Sequence, residues 1–304
     1  DLRMSRGLGD VYKRQFMSKC AYILLISIVT LGSCKVKWDF EVEDFEPKIV
    51  VDGWIESGNV AYVCLSQTRP LNSVVDSLAF SEIPIRWAKV TVSDGQTTEV
   101  LTGRIDTDYT PPFIYRGSMM TGEPGKTYTL TVEYSGQTVT AVTTIPRPVP
   151  LSDIKVTRSA DNDTLFQISA YINDDSSEKN YYKFFTRVTN KEGRFYSSFL
   201  GTIDDAIVKD SQTAIPVYKG VHFTYTTKFI PFYSIDDTVQ VKFTQIPQHG
   251  FDFWNSYENE ITNGQNPLFP SNTNLKSNVQ GGLGIWCGYG VKMYDLIVRR
   301  DCQE

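Results

Sequence analysis

The chain has 304 residues, with 30 Lys+Arg against 35 Asp+Glu and a net charge of −5. Nucleic acid is not an expected partner, because a binding surface for phosphates needs clustered positive charge and no basic cluster is longer than a pair such as Arg299-Arg300. The length leaves room for two cores of ordinary size.

Residues 1–16 include Asp10-Val11-Tyr12-Lys13-Arg14-Gln15, which matches the translation of a sequencing-library adapter. They are read as a spurious extension, with Met17 as the expected start. Met17-Ser18-Lys19, the apolar run Ala21 to Leu31 and the small residues after it have the layout of a secretory signal over 17–33. That run is shorter than the roughly 20 apolar residues a membrane-spanning helix needs. Leu31-Gly32-Ser33-Cys34 places a cysteine where a bacterial lipoprotein is acylated and cleaved, so Cys34 is the expected lipidation site, tying the chain to the outer membrane through a lipid anchor. An ordinary signal with an incidental cysteine is the alternative.

Without residues 1–33, which hold five Lys/Arg and two Asp/Glu, 25 basic and 33 acidic side chains remain, a charge of −8. Residues 34–47 crowd Asp39, Glu41, Glu43, Asp44 and Glu46 into an acidic tether. Such a cluster beside the anchor resembles the surface-export signal of Bacteroidota lipoproteins, and predicts display on the extracellular side.

Alternation then predicts strands at Ile49–Ile55, Val60–Leu65 and Ala88–Val92. Asp94-Gly95 turns the chain into Gln96–Leu101, and Ser135-Gly136 joins Thr127–Val132 to Thr138–Thr144. Pro146-Arg147-Pro148-Val149-Pro150 reads as a connector, since prolines cannot continue a sheet interior. Further strands are expected at Asp153–Thr157, Thr164–Tyr171, Tyr181–Thr189, Ser197–Leu200, Val221–Phe232 and Thr238–Gln245. The fold class is all-β: two Ig-like or transthyretin-like β-sandwich domains in tandem, 48–146 and 147–304, with one short helix near the C-terminus. That helix is predicted over 251–261, where Phe253, Trp254, Tyr257 and Ile261 share a face and make a packed lid. Asn263 to Asn278 reads as an irregular loop, and Gly281–Trp286 with Val291–Val298 as a closing strand pair.

After Cys34 only Cys64, Cys287 and Cys302 remain. Cys287 with Cys302 is the preferred disulfide, against the alternative of three buried free thiols.

Several stretches together resemble a known family: the lipobox cysteine and acidic spacer, Pro47-Lys48-Ile49-Val50-Val51-Asp52-Gly53-Trp54-Ile55, Gly125 to Leu130, Thr143-Thr144-Ile145-Pro146, Asn180-Tyr181-Tyr182 and Asn278 to Trp286. In this order they resemble the Bacteroidota lipoproteins of domain-of-unknown-function family 4249, with Val279 and Trp286 where Ile and Phe are expected. Genes of that family often lie beside those of TonB-dependent receptors. The resemblance therefore implies such a receptor as a partner, and carries over no catalytic residue.

No motif announces chemistry. His222 and His249 lie far apart and outside any HExxH or GxSxG pattern, and read as surface or capping residues. The pairs Asp161/Asp163, Asp174/Asp175, Asp204/Asp205 and Asp236/Asp237 read as turn chemistry before calcium sites. No metal and no cofactor is expected. Gly281-Gly282-Leu283-Gly284 lacks the lysine and helix of a phosphate loop and reads as a close-packed strand. Phe251, Trp254, Tyr257 and Trp286 are the candidate platform for a glycan, peptide or partner protein, with core packing as the competing role. The expected function is a non-catalytic accessory to a TonB-dependent nutrient transporter, by ligand capture or receptor docking. The alternatives are a structural or adhesive surface lipoprotein and, third, an unassigned hydrolase.

Overall fold

A computed structural model of the chain describes residues 45–70, 83–159, 162–174, 177–208, 213–221, 229–263 and 275–300. Cys34 with the whole signal segment, most of the tether, His222 and Cys302 lie outside the described residues.

The first half holds β1 (Ile49–Glu56), β2 (Val60–Gln67), β3 (Lys89–Ser93), β4 (Thr98–Val100), β5 (Thr102–Ile105), β6 (Phe113–Thr121), β7 (Thr127–Tyr134) and β8 (Gln137–Thr144). The second adds β9 (Leu151–Ser159), β10 (Asn162–Ile172), β11 (Tyr181–Val188), β12 (Tyr196–Asp204), β13 (Ala214–Val217), β14 (Tyr233–Ser234) and β15 (Thr238–Gln245). The helix α1 (Gln248–Asn263) and β16 (Leu283–Ile297) follow. The chain is all-β with one helix near its C-terminus, as the alternation predicts.

Three sheets result among the described residues. One has eight strands in the order β12-β11-β15-β16-β1-β2-β6-β5, and one has four in the order β4-β3-β7-β8. In the third, β9, β13 and β14 all pair with β10. Side chains alternate across a strand, so Ile49, Val51 and Ile55 of β1 point inward to meet Val90, Val92, Leu130 and Val132 in a first core. Phe184 of β11 and Val239, Val241 and Phe243 of β15 meet Phe166, Ile168 and Ala170 of β10 in a second. Both smaller sheets thus cover one face of the eight-stranded sheet.

The expected boundary separates these two cores but not two independent domains. In place of a closing strand pair, β16 is one continuous strand of 15 residues. Its first part pairs in parallel with β1, Val51 opposite Gly284 and Gly53 opposite Trp286, and its second part pairs antiparallel with β15. Trp286 therefore belongs to the first core, fully buried, with its Nε1 donating to the Tyr128 carbonyl at 3.0 Å. A Cβ on Gly53 would lie 3.0 Å from the Trp286 ring, which is why the Asp52-Gly53-Trp54 strand has a gap at its middle. The prolines are no free linker either: a Cβ on Gly290 would meet the Pro146 carbonyl at 2.3 Å, so the connector crosses tightly over β16. Residues Glu46–Glu304 form a single compact unit.

Local expectations fared unevenly. Ser135 (φ 49°) and Gly136 (φ 78°) make the two-residue turn between β7 and β8. Asp94-Gly95 begins a four-residue turn, in which Asp94 Oδ1 accepts from the N–H groups of Gln96 and Thr97. The strands β5, β6 and β13 were not expected. In the predicted strand Val221–Phe232, neither Val221 nor Phe229–Phe232 is extended in a sheet, and His222 to Lys228 lie outside the described residues. The disulfide also needs correction, since Cys287 is a free, fully buried thiol. Ten strand residues separate it from Ile297, roughly 33 Å of extended chain, beyond the return reach of the five residues to Cys302.

Glu99 of β4 is almost enclosed. It accepts from Ser118 N–H (2.5 Å), Ser118 Oγ (3.0 Å), Met119 N–H (2.9 Å) and Met120 N–H (2.8 Å). Burial disfavours its charge, but the donors outweigh burial and lower its pKa. An amide in its place turns an NH₂ toward a backbone N–H, and Glu99→Gln is expected to cost about 3 kcal/mol in denaturant unfolding at pH 7. A folded pKa below the unfolded value stabilises above pH 4.5 and loses that contribution as pH falls through the folded pKa. The gap between wild type and variant should therefore close in acid.

Candidate functional site

The opposite face of the eight-stranded sheet carries polar and aromatic side chains. Across β1 and β2 the register sets Trp54 opposite Tyr62 and Asp52 opposite Cys64. Next along the sheet, Tyr62 faces Arg116 of β6. Two connections fold toward this surface, the β5–β6 loop with Tyr109 and the β11–β12 loop with Arg194. They touch, since a Cβ on Gly193 would meet Asp108 Oδ1 at 2.5 Å.

Together these elements stack six side chains in a row. The Arg116 guanidinium lies 5.3 Å from the Tyr62 ring, and Tyr62 is stacked on Trp54 at 5.4 Å with planes 7° apart. Trp54 stacks on Tyr109 at 6.0 Å. Arg194 sits between Tyr109 and Tyr196, at 5.0 and 4.8 Å. Each cation–ring contact contributes about 0.5–2 kcal/mol, more where water is excluded. The larger effect is positional: two guanidiniums are held at defined points on a rigid aromatic column.

Asp52 lies beside this column. Its side chain is exposed, and desolvation by the groups around it raises its pKa, with Arg194 pulling the other way. Its negative charge also reaches Tyr257 of α1, whose pKa is raised by burial and then by Asp52. Cys64 is buried, and desolvation followed by the Asp52 charge raises its pKa, so it is a protonated thiol and a poor nucleophile.

Farther along the same face, Phe195 lies between Arg187 (4.9 Å) and Lys242 (4.3 Å), and Lys242 pairs with Glu56 at 2.5 Å. Then α1 covers the sheet. Phe251 stacks on Tyr181 at 4.6 Å, Trp254 meets Phe185 edge-on at 5.4 Å and donates from Nε1 to Tyr289 Oη at 3.0 Å, and Tyr257 packs edge-on against Trp254. These half-buried rings are spent on holding the helix down, and Trp286 faces the first core on the far side of the sheet. The four aromatics expected to form one platform therefore do not share a surface.

His249, expected just before the helix, lies in its first turn, 3.1 Å from Thr143 Oγ1, and burial lowers its pKa. Asp161 and Asp175 lie outside the described residues, and of the other aspartates in the expected pairs several serve turns and ion pairs. Asp204 and Asp205 both hold Lys179, and Asp237 takes Lys191 at 2.5 Å and Lys219 at 3.4 Å. Among the described residues no three His, Cys, Asp or Glu converge as metal ligands.

Sequence reasoning missed Asp52, Tyr62, Tyr109, Arg116 and Arg194 as a group. The one available signal was Asp52 in an otherwise apolar strand: a charge on the outward parity of a central strand needs a reason.

A search of the curated proteins finds no match. A family model matches residues 36–295, nearly all of the folded unit. The chain belongs to the family described as Domain of unknown function (DUF4249).

Proposed function

We propose that this protein is a lipid-anchored outer-membrane lipoprotein, displayed on the cell surface, that captures a small ligand for a TonB-dependent transporter without transforming it. The observation that carries this reading is the outward face of the large sheet, where the exposed Asp52 lies beside a rigid aromatic column that holds the Arg116 and Arg194 guanidiniums at fixed points. A tethered binding module raises the ligand's local concentration at a neighbouring transporter and needs no chemistry of its own. The lipobox at Cys34 supplies the tether, and the acidic run after it supplies outward display.

Affinity purification of the full-length protein from native membranes tests the partnership, with an outer-membrane barrel of the TonB-dependent class as the expected companion. Absence of such a barrel at native expression levels would remove the transporter from the reading. Cys34→Ala is expected to abolish labelling by a fatty-acid probe and move the protein out of the membrane fraction. Retention of label in that variant would place the lipid elsewhere.

A further inference from the structure

We propose that the free edge of β16 is a docking strip for another polypeptide. Its occupant is an extended strand, apolar at alternate positions and acidic between them, that joins the eight-stranded sheet beside Met293, Asp295 and Ile297. This role goes beyond ligand capture and does not depend on it.

Successive residues of a strand point their N–H and C=O groups to opposite sides. In β16 the even positions turn toward β15: the Val298 carbonyl accepts from Asp236 N–H at 2.9 Å, and Val298 N–H donates to the Asp237 carbonyl at 3.0 Å. The odd positions turn toward β1. There Ser57 N–H donates to the Tyr289 carbonyl at 2.9 Å, and Val291 N–H donates to Ser57 Oγ at 2.9 Å. Since β1 ends at Glu56, opposite Tyr289, no strand continues on that side beyond Ser57. The backbone groups of Met293, Asp295 and Ile297 face outward without a partner among the described residues, while β15 pairs with the other side as far as Ile297. The open stretch has the length of an ordinary short strand.

Side chains along this edge suit an added strand. Met293 and Ile297 are 45% and 50% exposed, and Tyr294 and Leu296 are only half-buried against the second core. Below them runs β9, tied to β16 by Leu151 N–H donating to Tyr294 Oη at 2.7 Å and by Arg158 donating to the Arg300 carbonyl at 3.4 Å. It pairs with β10 on one side and with no strand on the other, and its Ile154 and Val156 are half-buried too. The opposite side of this sandwich is laced shut, with Phe199 N–H donating to the Lys219 carbonyl at 3.2 Å and Val221 N–H to the Ser197 carbonyl at 2.9 Å. One closed side and one open side match a sheet that takes its last strand from outside.

Charge selects the occupant. Charged side chains on an edge guard it against pairing with a second copy. Here the exposed cations Arg158, Lys292, Arg299 and Arg300 stand around the strip, with Asp295 as the one anion within it, although the whole chain carries −5. Two copies meeting edge to edge would crowd these cations together, whereas acidic side chains on an incoming strand neutralise them.

Fluorescence anisotropy of the purified protein with a labelled octapeptide alternating valine and glutamate tests this directly. Binding is expected, weakened about tenfold or more when lysine replaces glutamate. Methylating every second amide of the peptide should weaken binding equally in one phase and leave it unchanged in the other, because only one side of an added strand bonds to β16. Amide hydrogen exchange locates the contact: Met293, Asp295 and Ile297 should exchange fast in the free protein and about tenfold or more slowly with peptide bound. Asp295→Pro removes an N–H that points away from β15, so it should abolish binding and spare the ladder. If that variant does not fold, Lys292→Glu combined with Arg158→Glu, two exposed changes, should erase the preference for glutamate over lysine. Equal binding of both methylated forms, or no binding at millimolar peptide, would overturn the proposal. So would protection of the three amides in the free protein, which would assign the edge to the chain itself, or to a second copy if protection rises with protein concentration.

Discussion

Gly284→Ala is expected to lower the melting temperature by about 10 °C or prevent soluble expression altogether. Gly284 has φ +108°, a conformation that side chains with a Cβ rarely adopt, and an added Cβ would lie 1.8 Å from the Val51 carbonyl oxygen. That oxygen belongs to β1 near the start of its parallel pairing with β16, so neither strand can yield without losing ladder hydrogen bonds. Backbone strain of about 1–3 kcal/mol adds to the cost of spreading the pairing, and a total near 4 kcal/mol corresponds to about 10 °C in a chain of this size. Gly58→Ala is the control. It also has a positive φ, +78°, but nothing lies within 4 Å of the added atom, so only the conformational penalty of about 1 kcal/mol applies. Differential scanning calorimetry of both variants separates the contributions. A Gly284→Ala protein that melts with Gly58→Ala would show that the β1–β16 seam is not where the two halves are held.

The same seam marks where the sequence stopped being legible. Alternation of period two is a local property, and it located β1, β2, β7, β8, β11 and β15 to within a few residues, because one face of each is buried. It says nothing about which strand lies beside which. Val51 pairs with Gly284 across most of the chain, and nothing in the glycine-rich stretch around Gly284 distinguishes a hairpin from a parallel partner for β1. The strand β6 escaped notice because Gly117 and the exposed Met119 interrupt its pattern. The aromatic column was harder still. Tyr109 and Arg194 sit in loops, where composition carries no periodicity, and they meet only because β6 and β11 bring their loops to the same face. Asn278 is an intermediate case. It stood out as part of a recognisable stretch, but its work is visible only in three dimensions: its amide accepts from the Trp286 N–H at 3.0 Å and donates to the Trp286 carbonyl at 2.8 Å. It thereby completes the edge of β16 opposite β1, at a level that the β15 pairing does not reach.

The second large effect is expected at Lys183, which is fully buried on the outer face of β11. Its ammonium donates to Glu258 of α1 at 2.5 Å and to Thr202 Oγ1 at 3.1 Å, and lies 5.0 Å from the Trp254 ring. Thr202 Oγ1 also donates to Glu258 at 2.7 Å, so one carboxylate closes the site that ties helix to sheet. Desolvation lowers the Lys183 pKa and Glu258 opposes that fall. Glu258→Gln leaves the charge buried without its counter-ion and is expected to cost about 3–5 kcal/mol at pH 7. The folded pKa then drops further below the unfolded 10.5. A base whose folded pKa is depressed binds fewer protons folded than unfolded, so stability rises with pH through that interval. The variant should therefore regain stability between pH 7 and pH 10 more steeply than wild type. Lys183→Met combined with Glu258→Gln removes the orphaned charge and should recover most of the loss, because a buried pair contributes little net stability beyond an apolar replacement. Urea unfolding of wild type and the two variants at both pH values checks this. If the double variant is as unstable as Glu258→Gln alone, the loss comes from helix packing against Phe185 and Tyr289 rather than from an uncompensated ammonium group.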